Sequence, residues 1–176
     1  MNTTDSDLRS ESEPVIVVGY DENHQGAADV TLAQAADLTA RLGGRLHVVQ
    51  AIPAPRRETA LPTGVLAVPE LAVDLEAEQD RRDQGERELA EHLRARMASG
   101  DLSWTCEVDV GDPADVLADC AERVQAYLVV IGTRSRGVGA AFDRLLTGST
   151  VRNLERRLGD ERPGLPMWSL VVVPHP

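Results

Sequence analysis

Five short apolar segments alternate with longer amphipathic segments along the chain, a pattern that indicates an α/β protein. Three of these segments are apolar almost without interruption, which is typical of strands buried on both faces of a parallel sheet. The third segment instead alternates apolar and polar positions, which predicts a half-exposed strand near a sheet edge. The predicted strands are Val15–Gly19, Leu46–Ile52, Trp104–Val110, Tyr127–Gly132 and Ser169–Val173.

Apolar residues recur at helical spacing between the strands and predict four helices. Three cover about 26–42, 75–98 and 149–158, and the remaining one begins at residue 113. Gly43-Gly44 supplies a stop for the first helix, and Asp112-Pro113 supplies a cap and a first residue for the third. The resulting βαβαβαβαβ order predicts a right-handed, doubly wound, five-stranded parallel sheet with strand order 3-2-1-4-5.

The chain of 176 residues has the length of one domain. We expect residues 1–13, which are polar and acidic, to form a disordered arm, and residues 14–176 to form a single domain. The proline-rich segment 53–74 and the polar segment 159–167 fit neither strands nor helices.

Composition excludes several classes of function. The net charge is −11, which disfavours nucleic acids and anionic membranes as partners. All 18 basic residues are arginine, so a Walker A loop and Schiff-base chemistry, which need lysine, are excluded. No signal-peptide pattern and no apolar stretch of about 20 residues occurs, so we expect a cytoplasmic protein without a membrane span.

The cysteines and histidines give no metal-binding motif. Cys106 and Cys120 lack CxxC spacing, and we expect both to be small buried residues in a reducing compartment. Among the closely spaced carboxylates Asp109, Asp112 and Asp115, the middle one is predicted to cap a helix rather than to bind a metal. No zinc site is therefore expected from the four histidines, which lie far apart: His24, His47, His92 and His175.

Three loops are predicted to meet where the strand order reverses, which is where open α/β sheets bind ligands. The first runs from Gly19 to His24 and includes Tyr20 and Asp21, the second lies around Val49–Ile52, and the third runs from Gly132 to Thr150. Asp21 has two interpretations: a carboxylate that accepts hydrogen bonds from a nucleoside, or a turn and cap residue.

The third loop suits a phosphate. Gly148-Ser149-Thr150 places small residues and hydroxyls at a helix N-terminus, where free amides and the helix dipole favour an anion. Arg134 and Arg136 add positive charge. A flexible loop whose serine only caps the helix is the alternative interpretation. The first β–α turn lacks GxGxxG, so a dinucleotide-binding fingerprint is not supported.

In these motifs the chain resembles the universal stress protein family. The similarity runs from Pro14 to Pro174 and lies in six blocks, in order VIVVGYD, ARLGGRLHVVQAI, VGDPADVL, YLVVIGTRSRG, LLTGST and SLVVVP. It implies a dimeric α/β protein that binds ATP or a related adenine nucleotide, with Mg²⁺ left open, and that acts in the stress response as a sensor or regulator rather than as an enzyme.

The family's phosphate motif is G-x2-G-x9-G-[ST]. Gly132 matches its first glycine, and Gly148-Ser149 matches its last two positions. Ser135 replaces the second glycine, and 12 residues rather than nine separate it from Gly148. The resemblance implies a nucleotide site formed by Gly19, Tyr20, Asp21, Val49, Ile131, Gly132, Arg134, Ser135, Gly148, Ser149 and Thr150.

The last strand predicts a homodimer. Leu170–Val173 is apolar and would lie at the sheet edge, where an exposed strand needs a cover, and the resemblance implies pairing there. The main alternative function is the same fold without a nucleotide, acting through protein–protein contacts. An adenylating enzyme of related fold is disfavoured because HxGH-type and KMSKS-type elements are missing.

Overall fold

The computed structural model describes residues 13–52, 71–97, 101–132, 149–159 and 168–174. Within these ranges the chain forms the predicted five-stranded parallel sheet, in the order β3-β2-β1-β4-β5. A short 3₁₀ helix, Glu22–His24, follows the first strand. The strands are β1 (Val15–Gly19), β2 (Arg45–Ile52), β3 (Trp104–Val110), β4 (Leu128–Gly132) and β5 (Ser169–Val173), and the helices are α1 (Gln25–Leu42), α2 (Leu71–Arg96), α3 (Pro113–Arg123) and α4 (Ser149–Gly159).

Both faces of the sheet are covered, because successive residues of the central strands point to opposite sides. On one face Val17 and Val129 are fully buried in a core shared with α3 and α4. On the other face Ile16 and Val18 are fully buried in a core shared with α1 and α2. The nearly uninterrupted apolar sequences of β1 and β4 follow from this burial on both sides, as predicted.

The element boundaries differ from the predicted ones at a few places. Helix α2 begins at Leu71, four residues earlier than predicted, because no glycine or proline interrupts helical hydrogen bonding between Leu71 and Gln84. Tyr127 precedes β4 rather than beginning it, and its side chain is exposed. Residues 1–12 of the predicted arm, and residues 53–70 and 160–167, lie outside the described residues.

The helix signals in the sequence act as predicted. Gly43 ends α1 with a left-handed backbone (φ 61°), which glycine adopts without strain. Asp112 caps α3 by accepting a hydrogen bond from the backbone N–H of Ala114 at 2.9 Å, and Pro113 is the first helical residue. No helix in the described part of the chain is both long and apolar enough to cross a membrane.

Gly44 lies where two backbones approach each other closely. A Cβ atom at this position would lie 2.3 Å from the carbonyl oxygen of Pro14, which also accepts a hydrogen bond from the Arg45 N–H at 3.0 Å. Any side chain would therefore push the start of β2 away from the start of β1. This glycine fixes the register of the two strands at their first residues.

Candidate functional site

The carboxyl ends of β1, β2 and β4 form one edge of the sheet, which we call the carboxyl edge. β1 pairs with β2 on one side and with β4 on the other, so the strand order reverses at β1. Gly19 and Gly132 are the last residues of β1 and β4. This is the position where open α/β sheets bind their ligands.

The loop after β1 is fixed to the end of β2 by its backbone. The Tyr20 N–H donates a hydrogen bond to the Val49 carbonyl oxygen at 2.8 Å, and the register pairs Gly19 with Val49. The side chains of Val49 and Ile131 are buried in the core beneath the edge. The structure therefore brings the predicted residues of β1 and β2 together through backbone contacts.

Gly19 leaves room for helix α3. A Cβ atom here would lie 3.2 Å from a methyl group of Leu117, which is tighter than an ordinary contact. The glycine thus lets α3 pack closely against the end of β1.

Asp21 caps the 3₁₀ helix, as one of its two interpretations predicts. One carboxylate oxygen accepts from the Asn23 backbone N–H at 3.1 Å and from the Asn23 amide at 3.2 Å, and the other lies 3.0 Å from His24 Nδ1. The cap holds the carboxylate in one orientation at the carboxyl edge.

The side chain of Tyr20 points into the core on the α1 and α2 side. Its hydroxyl lies 2.7 Å from His92 Nε2 and 3.3 Å from Asp29 Oδ1, and Asp29 also accepts from Arg96 at 2.6 Å. Burial and the nearby Asp29 carboxylate raise the pKa of Tyr20 to about 12. Only the Tyr20 backbone is thus placed at the carboxyl edge.

The phosphate part of the predicted site is described only in part. Arg134, Ser135 and Gly148 lie outside the described residues. Ser149 and Thr150 begin α4, as predicted, and no acidic residue occurs in its first turn. Because a helix that connects two parallel strands runs back along the sheet, the start of α4 faces the carboxyl edge.

The three aspartates considered as a metal cluster have separate partners. Asp109 pairs with Arg82 at 3.0 Å, Asp112 caps α3, and Asp115 pairs with Arg157. The prediction that Asp112 is a cap is confirmed.

An acidic groove of about 310 Å³ lies beside the end of β2, on the α2 side. Its floor contains Gln50, a buried polar residue within an otherwise apolar part of β2. Sequence reasoning missed this groove, although a glutamine in an apolar strand is a visible signal. The lining residues are Glu22, Gln50, Ile52, Asp80, Arg81, Gln84, Gly85 and Glu88.

Comparisons with known proteins agree with this architecture. The family model described as "Universal stress protein family" matches residues 14–158, which run from the start of β1 through most of α4. The chain belongs to the universal stress protein family. No curated protein matches it significantly.

Several solved universal stress proteins share the fold. One, solved in complex with cAMP, is 22% identical with a TM-score of 0.51, and the match covers 91% of this chain and 95% of that one. UspA from Lactobacillus plantarum is 17% identical with a TM-score of 0.59, covering 91% and 97%. A universal stress protein from Archaeoglobus fulgidus is 18% identical with a TM-score of 0.53, covering 91% and 93%. At these identities the likeness shows the fold.

Proposed function

We propose that this universal stress protein binds an adenine nucleotide, ATP, at the carboxyl edge and acts as a sensor or regulator in the stress response rather than as an enzyme. The observation that carries the proposal is the backbone contact between the Asp21 loop and the end of β2 at the reversal of strand order. The direction of a crossover helix puts the start of α4 toward the same edge. A related protein was solved in complex with cAMP, which supports an adenine nucleotide as the ligand class.

The charges along the edge orient the nucleotide. The side near β2 is acidic, with Glu22, Asp80 and Glu88 lining the groove there, so phosphates are disfavoured on that side. The start of α4 carries the positive end of the helix dipole, which favours an anion. We therefore place the base and ribose near Asp21 and Val49, and the phosphates with any Mg²⁺ over Gly132 and α4.

The residues present fit such a ligand. The Asp21 carboxylate is held by its cap and accepts hydrogen bonds from ribose hydroxyls. The glycine at the end of β4 allows a phosphate to approach the backbone. No general base is identified among these residues, and no lysine occurs in the chain.

Calorimetric titration with ATP, ADP, AMP and cAMP tests the proposal. Gly148→Val adds bulk at the start of α4 and should weaken ATP binding about 10-fold or more, since the loss of one buried polar contact costs about 1–3 kcal/mol. Gly26→Val is the matched control, because a Cβ atom at Gly26 meets nothing within 4 Å. Equal binding by both variants would place the nucleotide site elsewhere.

The second candidate function is the same fold without a nucleotide, acting through protein contacts. Ser135 in place of a motif glycine and the 12 residues that follow it favour this candidate, since a Cβ there restricts the backbone that approaches the phosphates. Absence of ATP binding below about 1 mM, an affinity of about 4 kcal/mol, would select it.

We also propose that two copies pair through β5. Within the described residues β5 is the last strand of the sheet, so it pairs with β4 on one side and with no strand on the other. The side chain of Val172 on β5 is exposed. An apolar strand with unpaired backbone groups is a template for pairing with another chain.

A further inference from the structure

Three potential metal-binding side chains meet on the α3 face of the sheet, away from the carboxyl edge. His47 lies on β2, Glu107 on β3 and Cys120 on α3. One donor atom from each lies within 4.8 Å of the other two. We call these residues the His47–Glu107–Cys120 cluster.

The fold explains why they meet. In the register of β2 and β3, His47 pairs with Thr105 and Val49 pairs with Glu107, so the imidazole and the carboxylate are diagonal neighbours on one face. Helix α3 covers this face and places the buried Cys120 over it. All three positions lie on regular elements, which hold a site more rigidly than loops do.

We propose that the His47–Glu107–Cys120 cluster binds a divalent transition-metal ion, with Zn²⁺ as the best match to one nitrogen, one oxygen and one sulfur donor. Zinc accepts this mixture of ligands in four-coordinate sites. Three protein ligands leave the fourth position of a four-coordinate ion for water or a small molecule.

The placement of His47 is the first argument. Its Nδ1 lies 2.6 Å from Thr105 Oγ1. Its Nε2 is shielded from solvent, faces Glu107 Oε2 at 3.3 Å and has no aligned hydrogen bond to any described residue. A metal ion bound to Nε2 would put the ring N–H on Nδ1, where the Thr105 hydroxyl can accept it.

The distances are the second argument. Tetrahedral zinc with bonds of about 2.0–2.3 Å separates neighbouring donor atoms by roughly 3.3–3.8 Å. The 3.3 Å between His47 Nε2 and Glu107 Oε2 already meets this requirement. Since all the donors lie within 4.8 Å, closing the cluster around a metal needs a shift of roughly 1 Å.

The residues around the cluster are the third argument. Metal-binding histidines commonly donate their second ring N–H to an oxygen, and Thr105 Oγ1 lies at hydrogen-bond distance from His47 Nδ1 for this role. Arg123 binds Glu107 Oε1 and leaves Oε2 directed toward His47. An arginine on the outer oxygen is compatible with a carboxylate that binds a metal through its inner oxygen.

In the metal-free protein, Glu107 holds the cluster together. The pKa of Glu107 is lowered to about 2, mainly by the contact with His47. The Cys120 thiol and the Arg123 guanidinium lower it further, whereas burial acts in the opposite direction. Burial and the Glu107 carboxylate raise the pKa of the Cys120 thiol. Zinc binding at neutral pH must therefore displace the thiol proton, so one proton is released for each zinc bound.

The test uses the full chain with any affinity tag removed and with Zn²⁺ alone as the probe. We expect one Zn²⁺ per chain with a Kd of about 1 µM or tighter. Titrations in buffers of different ionisation enthalpy should show release of one proton. Co²⁺ in place of Zn²⁺ should give a thiolate-to-cobalt charge-transfer absorption, which only a bound sulfur produces.

The chain offers a matched pair of cysteine variants. Cys120→Ser should weaken Zn²⁺ binding by about 100-fold or more and abolish the charge-transfer absorption, since loss of even an outer partner costs 10–100-fold. Cys106→Ser should leave both unchanged, because Cys106 lies on the opposite face of the sheet, against the α1 and α2 core.

A pair of histidine variants keeps the test decisive if Cys120→Ser does not fold. His47→Gln should weaken Zn²⁺ binding to the same degree, while His92→Gln, on the other face, should not. Circular dichroism and thermal melting verify the fold of each variant.

The proposal is overturned if the wild type takes up no Zn²⁺ at a concentration of about 100 µM, or if Cys106→Ser is as damaging as Cys120→Ser. Zinc binding without a thiolate absorption would also overturn it. These outcomes are independent of ATP binding, because His47 lies two residues before Val49 along β2, back from the carboxyl edge.

Discussion

The hydroxyl of Tyr20 lies 2.7 Å from Nε2 of His92, so the first residue after β1 is connected to the last part of α2, 72 positions along the chain. Asp29 of α1 lies 3.3 Å from both groups and pairs with Arg96. This polar cluster joins β1, α1 and α2. It fixes the direction in which the chain leaves β1 toward Asp21.

Removal of the Tyr20 hydroxyl should therefore destabilise the fold. We expect Tyr20→Phe to lower the free energy of unfolding by about 1–2 kcal/mol, because His92 and Asp29 lose a partner in a largely buried position. Urea denaturation measures the loss. Tyr127→Phe is the control, since Tyr127 is 57% exposed, and it should change stability little. If Tyr20→Phe loses no more stability than Tyr127→Phe, the Tyr20 hydroxyl contributes no more than an exposed one.

Tyr20 should also make the protein sensitive to alkaline pH. Its pKa is raised from the usual 10 to about 12 in the folded protein, so the contribution of the neutral hydroxyl to stability is fully present below pH 10. This contribution is lost as the pH rises from 10 to 12, because the unfolded chain gives up the proton first. Denaturation curves of the wild type and Tyr20→Phe should therefore converge over this range. A constant difference between them would contradict the expectation.

Asp21 should contribute to nucleotide recognition beyond its role as a cap. We expect Asp21→Asn to weaken ATP binding by about 10–100-fold, the cost of one hydrogen bond to a charged group, while the asparagine still caps the 3₁₀ helix. Calorimetry with ATP provides the measurement. Asp37→Asn is the matched control, because Asp37 is an exposed carboxylate that pairs with Arg41 on α1. Unchanged affinity in Asp21→Asn would limit Asp21 to the cap.

Val172 should lie in the contact between two copies. We expect the wild type to sediment as a dimer at micromolar concentration, and Val172→Arg to shift it toward the monomer, since a buried unpaired charge opposes pairing. Val30→Arg is the control, because Val30 on α1 is 44% exposed and Val172 is 38% exposed. This variant should leave the dimer intact. A monomeric wild type, or a dimer that tolerates Val172→Arg, would refute pairing through β5.

The sequence by itself determined the sheet, its strand order and most helix ends. Uninterrupted apolar segments such as Val15–Gly19 allow only a strand buried on both faces, and alternation with amphipathic helices leaves little choice of topology. The Asp112-Pro113 and Gly43-Gly44 signals act through the backbone of their immediate neighbours, so no distant contact alters them.

Only the tertiary structure decided what several side chains do. Both cysteines were expected to be buried, but Cys106 is only partly so, because it lies on the edge strand β3. Tyr20 was predicted as a site residue, and the structure shows that its side chain is buried against His92, so only its backbone lies at the carboxyl edge. In both cases strand position and side-chain direction depend on neighbours that local sequence does not specify.

The His47–Glu107–Cys120 cluster is the clearest case. The histidines show no ligand spacing, and for that reason the sequence predicted no zinc site. His47 is separated from Glu107 by 60 positions and from Cys120 by 73. The three meet because β2 and β3 pair in parallel with His47 opposite Thr105, and because α3 then crosses the same face. A side-chain cluster assembled from three elements leaves no pattern along the chain, since its geometry exists only once the sheet has formed.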